Sequence, residues 1–366
     1  MKGASPSRDG IEVPRLKCVC MFNHNREGEV MNNVTTVGID LAKNVFSLHG
    51  VDERGKTLLR KTVSRAKLAA LVAQLPPCLI GMEACSGAHE WARRFSAFGH
   101  TVRLMAPKFV APYRKGGKND GNDAEAICEA VSRPNMLFVP VKSIEQQALL
   151  TLHRVRLGFI EERTATINRV RGLLMEFGAV LPQRAIEVRR GAATLLDTVP
   201  ALAARAIRDL LEHIQLLETR IHDYEREIEA HAKRDERALR IQALSGIGPV
   251  TASAIVATVQ EAKEFRSGRQ FAAWLGLTPK QFSTGGKTRL GRITAKGDPY
   301  LRTLLIMGAR SVLQTASRRK DRLARWALGV RERRGYHRAC VAIAAKHARI
   351  LWAMLSKGVT LQLAPA

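Results

Sequence analysis

From Val34 to Asp52 the chain reads VTTVGIDLAKNVFSLHGVD, in which small and apolar residues lead first to a single carboxylate, Asp40. A short turn, Leu41–Asn44, follows, and Val45–Val51 then alternates apolar and polar side chains. The pattern predicts two paired strands, the first too apolar to be exposed on either face. Lys56–Val63 reads as a third strand and Ser64–Gln74 as a helix. Cys78–Glu83, CLIGME, is a second buried-strand pattern ending in a carboxylate, Glu83. Gly87–Phe98 reads as a helix and Thr101–Met105 as a short strand. Such alternation gives an α/β layer. Three leading strands before the first helix are an RNase H-like order rather than a strict βαβ repeat.

Lys115–Val131, KGGKNDGNDAEAICEAV, places Asp120 and Asp123 three apart, on one face of a helix. Asp120 is read as a helix cap, with Asp123 at the positive end of the dipole. That reading does not exclude chemistry, because a helix start can hold two carboxylates rigidly. A charge at the end of a buried strand is costly without a partner. In an RNase H-like sheet the partner is a divalent metal. Asp40, Glu83, Asp120 and Asp123 supply an Asp, Glu, Asp, Asp set, the donors that divalent ions need in phosphodiester cleavage.

Ser143–Glu176 is a long helical pattern with Leu157, Ile160, Thr164, Ile167, Val170 and Leu174 as its stripe. After a linker containing Pro182 and Pro200 comes a cleaner seam: Ile207, Leu210, Ile214, Leu217, Ile221, Tyr224 and Ile228. Its steps of three and four are a heptad pattern. An intramolecular helical hairpin and a dimerising coiled coil both satisfy it, and dimerisation is favoured.

Leu244–Ile255, LSGIGPVTASAI, sets Gly246 and Gly248 between two helical segments, as in a helix-hairpin-helix turn that admits a nucleic-acid phosphate. A plain inter-helix turn fits as well. Phe271–Leu277 reads as a helix and Thr278–Arg302 as a loop, in which Lys287, Arg289, Arg292, Lys296 and Arg302 surround Ser283, Thr284, Gly285 and Gly286. A hydroxyl among cations is a candidate nucleophile toward a phosphodiester. On residue types alone, a phosphate-clamping loop is favoured. Tyr336–Leu355 reads as an apolar helix with His337, Arg338, Lys346, His347 and Arg349 on one side, and with Trp352 in the core.

Composition sharpens the choice of partner. The 366 residues have room for two or three domains, and the formal net charge is +26. The charge is uneven: Lys280–Arg349 holds 18 Lys and Arg against 3 Asp and Glu. Polyphosphate is the partner such an excess implies. The cysteines Cys18, Cys20, Cys78, Cys85, Cys128 and Cys340 have no zinc spacing, which points to reduced thiols in a cytoplasm. No transmembrane run or signal peptide is read. The first thirty residues, polar and without period, are read as a disordered leader or an over-extended reading frame, with Met31 just before the first strand.

Together these motifs resemble the DEDD-type transposases of bacterial insertion sequences, the bridge-RNA-guided recombinases. VGIDLAKNVF, GMEACSGAHEW and KNDGNDAEAI carry the four carboxylates; LSGIGPVTA, WLGLTPKQFSTGGKTRLGRITAKGDPYLRTLL and VAIAAKHARILWAML resemble the second domain and tail. The resemblance implies a RuvC-like site in which Asp40, Glu83, Asp120 and Asp123 hold Mg²⁺ (or Mn²⁺). It also implies a serine, here Ser283 with Thr284 beside it, that links transiently to DNA and meets the carboxylates of a partner subunit. The implied partners are donor and target DNA, a structured guide RNA from the element, and further copies of the chain, assembled through the coiled coil into dimers and a tetramer. The phosphate contacts are expected from Gly246, Gly248, Lys287, Arg289, Arg292, Lys296 and Arg302. The expected location is the bacterial cytoplasm, on the nucleoid.

The expected fold is an α/β RNase H/RuvC-like N-terminal domain over 34–142, after a leader over 1–33. A helical coiled-coil middle follows over 143–237. A mainly α transposase domain with a helix-hairpin-helix-like segment covers 238–366. Three rivals are weighed against it: a RuvC-like nuclease or junction resolvase with no covalent intermediate, an inactive nucleic-acid-binding protein, and an actin-like sugar kinase. The net charge and the lack of a Gly-rich adenosine-binding segment argue against the last.

Overall fold

A computed structural model describes residues 33–117 and 119–361. The leader read over the first thirty residues, with Cys18 and Cys20, lies outside them. The chain divides into two compact units, with the break between Val141 and Lys142.

The first unit is built on a six-stranded sheet in the order β3-β2-β1-β4-β5-β6. Its strands are β1 (Thr36–Leu41), β2 (Val45–Val51), β3 (Thr57–Ser64), β4 (Leu79–Glu83), β5 (Thr101–Met105) and β6 (Phe138–Val139). β1 pairs antiparallel with β2 and parallel with β4. This is the predicted RNase H-like arrangement, with the strand that ends near Asp40 at the centre. β6, only two residues long and antiparallel to β5, was not foreseen.

Side-chain alternation divides the sheet into two faces. Val37, Ile39, Ile80 and Met82 pack with Leu68 and Val72 of α1 (Arg65–Ala73) and with Trp91, Ala92 and Phe95 of α2 (Ala88–Ala97). The short α3 (Pro107–Val110) and then α4 (Asp120–Val131) cover the other face, where Met105, Val110, Ala126, Ile127, Ala130 and Val131 form a second cluster.

The second unit is helical. α5 (Ile144–Met175) opens on a complete capping box: Ser143 Oγ accepts from the Gln146 N–H at 3.1 Å, and the Ser143 N–H donates to Gln146 Oε1 at 3.0 Å. The short α6 (Ala185–Gly191) leads to α7 (Ala201–Arg234). Ile207, Ile214, Leu217, Ile221 and Ile228 of the heptad seam are buried, and Leu210 and Tyr224 are partly so. α5 covers them: Ile207 and Ile214 share a core with Ile167, Val170 and Leu174, Tyr224 meets Phe159 edge-on at 5.7 Å, and Arg156 pairs with Glu225. The intramolecular hairpin is therefore the arrangement present, and the seam favoured for dimerisation is closed within the chain. One member of the predicted α5 stripe, Thr164, is exposed, and its hydroxyl donates to the Ile160 carbonyl at 2.8 Å instead.

The rest is one apolar cluster built from α8 (Glu236–Gln242), α9 (Pro249–Thr258), α10 (Gly268–Trp274), α11 (Pro299–Thr315), α12 (Arg322–Arg334) and α13 (Tyr336–Lys357). α13 is long and apolar enough to cross a membrane by length and composition. Its apolar face has another explanation: Ala339, Cys340, Ile343, Ala344, Ala348, Leu351 and Met354 are buried in this cluster. His347, expected beside the basic residues, points inward with 0% exposure. Trp352 packs as expected, its indole N–H donating to the Ala262 and Phe265 carbonyls at 3.0 Å. Among the described residues all four cysteines are free thiols.

Candidate functional site

The first set of candidate residues is positioned by two glycines. Gly38 of β1 is in register with Gly81 of β4. A Cβ on Gly38 would lie 2.2 Å from the Ala124 carbonyl oxygen, and one on Gly81 would lie 2.7 Å from Val131 Cβ. α4 therefore rests directly on the backbone of both strands. Asp40 and Glu83 each lie two residues beyond these glycines, so the period of the strand turns both toward the face that α4 covers. They share a neighbourhood there. The Cys85 thiol is raised first by burial and then by the Glu83 and Asp40 charges.

α4 brings the remaining two carboxylates. Its cap is Asn119, whose Oδ1 accepts from the Asn122 N–H at 2.8 Å. Asp120, read from the sequence as the cap, is instead the first helical residue and is exposed. Asp123 is half-buried and pairs with Arg114 Nε at 3.3 Å. Both acids sit in the first turn, where the helix dipole favours negative charge. The fold thus turns Asp40 and Glu83 to the sheet face that α4 covers and sets Asp120 and Asp123 in the first turn of that helix. It does not draw them into ligand range: among the described residues, no three acidic, His or Cys groups are placed to hold one ion. The donor chemistry nonetheless fits a hard divalent cation, which takes oxygen ligands and retains water.

The second set lies in the other unit. Thr278–Arg302, read as a loop, contains a β-hairpin, with β7 (Pro279–Gln281) antiparallel to β8 (Leu290–Ile293). Its tip is the Thr284–Lys287 bridge, and both central residues, Gly285 and Gly286, have positive φ (56° and 77°). That is the demand of a type I′ turn, which glycine meets without steric cost. Ser283 stands one residue before this bridge, exposed, and its Oγ accepts from Gln281 Nε2 at 2.9 Å. Lys287, Arg289, Arg292 and Lys296 are exposed around it.

The base of the hairpin is tied down. The Thr294 N–H donates to the Thr278 carbonyl at 2.8 Å, and the Ala295 N–H to the Gly276 carbonyl at 3.1 Å. Arg302 is committed to the same task, with Nη1 donating to the Leu275 and Gly297 carbonyls at 3.3 and 3.2 Å.

Gly246 (φ 85°) and Gly248 lie in the turn between α8 and α9. A Cβ on Gly246 would meet the Gly308 carbonyl of α11 at 2.6 Å, so helix packing already requires that glycine. Gly248 is exposed, and among the described residues nothing lies within 4 Å of its Cβ position.

Sequence reasoning missed three contributors. The Gly38–Gly81 slot was hidden because a small residue in a buried strand does not announce what rests on it. The Asn119 cap lay one residue before the favoured aspartate. The Arg114 contact has no local signal. The hairpin did have one, the Gly-Gly pair at its tip.

Comparison with known proteins gives concordant matches. Residues 37–178 match the IS110-type DEDD transposase model. Residues 238–324 match the model of the IS116/IS110/IS902 transposase family. A Pseudomonas aeruginosa protein named "Probable family 20 transposase" is 51% identical over 89% of this chain and 98% of its own length. The transposase for insertion sequence element IS1328 of Yersinia enterocolitica is 42% identical over 90% of this chain and 98% of its own. The transposase for IS1111A of Coxiella burnetii is 38% identical over 97% and 98%.

Proposed function

The chain belongs to the IS116/IS110/IS902 transposase family, and from that premise we propose that it moves its insertion sequence by cutting and rejoining DNA through a carboxylate site and a serine nucleophile. Asp40, Glu83, Asp120 and Asp123 are the residues that hold Mg²⁺ or Mn²⁺ in this reading. The chemistry such an ion supplies is charge neutralisation at the reacting phosphate. Ser283 Oγ forms an ester bond to phosphorus, and the displaced DNA oxygen leaves with the proton the serine gives up. Attack by a hydroxyl of a second strand reverses the step, joins the strands and restores the serine. Gln281 fixes the Ser283 rotamer, and Lys287, Arg289, Arg292 and Lys296 receive the phosphates on either side.

The observation that supports this reading is the placement of Asp40 and Glu83 on the sheet face covered by α4, the helix whose first turn carries Asp120 and Asp123, on an RNase H-like sheet. In the same reading an RNA from the element selects donor and target DNA by base pairing, and copies of the chain assemble into dimers and a tetramer. Because α5 covers the seam of α7, that assembly uses the outer faces of the helical segment over 143–237. The segment over 238–366 acts as the serine-bearing domain. Work on chromosomal DNA places the protein in the bacterial cytoplasm.

Asp40→Asn and Asp123→Asn test the carboxylate half. Each is expected to abolish strand cleavage in Mg²⁺ and Mn²⁺ while leaving nucleic-acid binding intact. Undiminished cleavage by either variant would remove that residue from the site.

A further inference from the structure

A cleft of about 640 Å³ opens on the second unit between α12 and α13, away from the serine hairpin in sequence. Its volume lies in the range of small-ligand sites, about 300–1,000 Å³. Trp326, Lys346, Arg349, Ile350, Met354 and Leu361 are among its walls, and among the described residues no acidic one lines it. The Lys346 ammonium rests over the Trp326 ring, 4.1 Å from its centroid. Arg349 and Arg322 stand close enough to act on it: the Lys346 amine is lowered by burial first, then by the Arg349 and Arg322 charges. Among the described residues none of the three cations is in an ion pair; Arg349 Nε donates only to the Ala345 carbonyl of its own helix, at 3.2 Å. Neighbouring Arg319, by contrast, is neutralised by Asp321 at 2.8 Å.

Three like charges brought together without a counter-charge cost free energy in the isolated protein, and an anion relieves it. Lys346 and Arg349 supply the charge of the cleft's lining, and Ile350, Met354 and Leu361 its apolar part. A phosphate with an apolar, planar appendage matches that division, and an unpaired nucleotide has both parts. We propose that this cleft binds one unstacked nucleotide of a single-stranded nucleic acid, its phosphate held by Lys346 and Arg349, with the Arg322 charge behind them, and its base lying against Ile350, Met354 and Leu361. The site is additional to the serine hairpin and rests on the reading of the chain as a nucleic-acid enzyme.

The test measures binding of the full chain to a labelled single-stranded 15-mer over a range of salt concentrations. Lys346→Gln, Arg349→Gln and Arg322→Gln are compared with the conservative Lys346→Arg. Each contact to a single strand contributes about 0.7 to the slope of log K against log salt. Because the cations serve a single phosphate, the triple Gln variant is expected to lower the slope by about 0.7, with Lys346→Arg near wild type and thermal transitions unchanged. An abasic 15-mer should bind the wild-type chain more weakly than the base-bearing strand, and the triple variant should no longer distinguish them. An unchanged slope in a chain that still cleaves DNA would overturn this inference alone. A lost slope with no base preference would show a plain phosphate contact and overturn it too. Loss of cleavage with these binding results intact would sink the catalytic reading and leave the cleft standing.

Discussion

Gly38 and Gly81 lie side by side across the parallel β1–β4 pair, and α4 rests on both. The contact beneath Gly38 is backbone, with the Ala124 carbonyl oxygen 2.2 Å from where a Cβ would sit, so no side chain can swing aside. Gly38→Ala is expected to cost at least about 1–3 kcal/mol, the range of overpacked cores. It should also lift the helix that carries Asp120 and Asp123. Gly158→Ala is the contrast: among the described residues nothing lies within 4 Å of the Cβ position of that exposed glycine in α5. It should stabilise by about 0.5–1 kcal/mol through helix propensity. Urea denaturation of the two variants measures both; equal stabilities would contradict the close approach.

The α7 seam gives a prediction about assembly. Ile214 is buried against α5 within one chain. Ile214→Ala should therefore cost about 2–5 kcal/mol of chain stability. The loss should not depend on protein concentration. A thermal midpoint that falls steeply on dilution only in the variant would mean that the seam is shared between copies.

What the sequence made legible follows from what pattern can encode. The strands around Asp40 and Glu83 were readable because burial on both faces leaves a continuous apolar run. The heptad seam was readable as a buried stripe, but a period does not name the helix that covers it, and α5 proved to be that helix. The β7–β8 hairpin was hard to see because Pro279–Gln281 and Leu290–Gly291 are exposed, so no apolar alternation marks it. His347 was assigned to the wrong side of its helix because neighbouring charges, Lys346 and Arg349, suggested a single polar face. Gly246 looks the same in a sequence whether a phosphate or Gly308 approaches it.

Arg289 and Arg302 should separate by phenotype. Arg289 is exposed on the hairpin, whereas Arg302 donates to two backbone carbonyls at its base. Arg289→Ala is expected to reduce the salt slope of DNA binding by about 0.9, one duplex phosphate contact, at unchanged thermal stability. Arg302→Ala is expected to lower the thermal transition instead. A reversed pair of outcomes, read by anisotropy titration and by calorimetry, would exchange the two roles.

His347 makes the fold acid-sensitive. Burial, reinforced by Arg319 and Lys346, lowers its imidazole to about 4, and burial with Arg156 nearby does the same for His153. Both groups are neutral when folded and take up protons more readily when unfolded. Stability is therefore complete above the ordinary value of 6.5 and is lost as the pH falls toward 4. The loss is on the order of 3 kcal/mol for each group. Among the described residues neither His347 ring nitrogen has a hydrogen-bond partner. His347→Leu should thus be neutral or stabilising at pH 7 and should shrink the fall in melting temperature between pH 7 and pH 5. A variant that loses stability at pH 7 with an unchanged pH profile would contradict this account of the residue.

The central claim is that Ser283, on the exposed hairpin, becomes joined to DNA. It is tested most directly by trapping the joined species. The chain is purified with the RNA of its element and mixed with labelled donor and target DNA in Mg²⁺. The reaction is quenched in detergent and examined for label that migrates with protein, with Ser283→Ala and Thr284→Ala run alongside. The account predicts an adduct in the wild type and in Thr284→Ala, and none in Ser283→Ala. Cleaved DNA with no adduct in any of the three would contradict it and would leave a carboxylate nuclease in which Ser283 takes no covalent part.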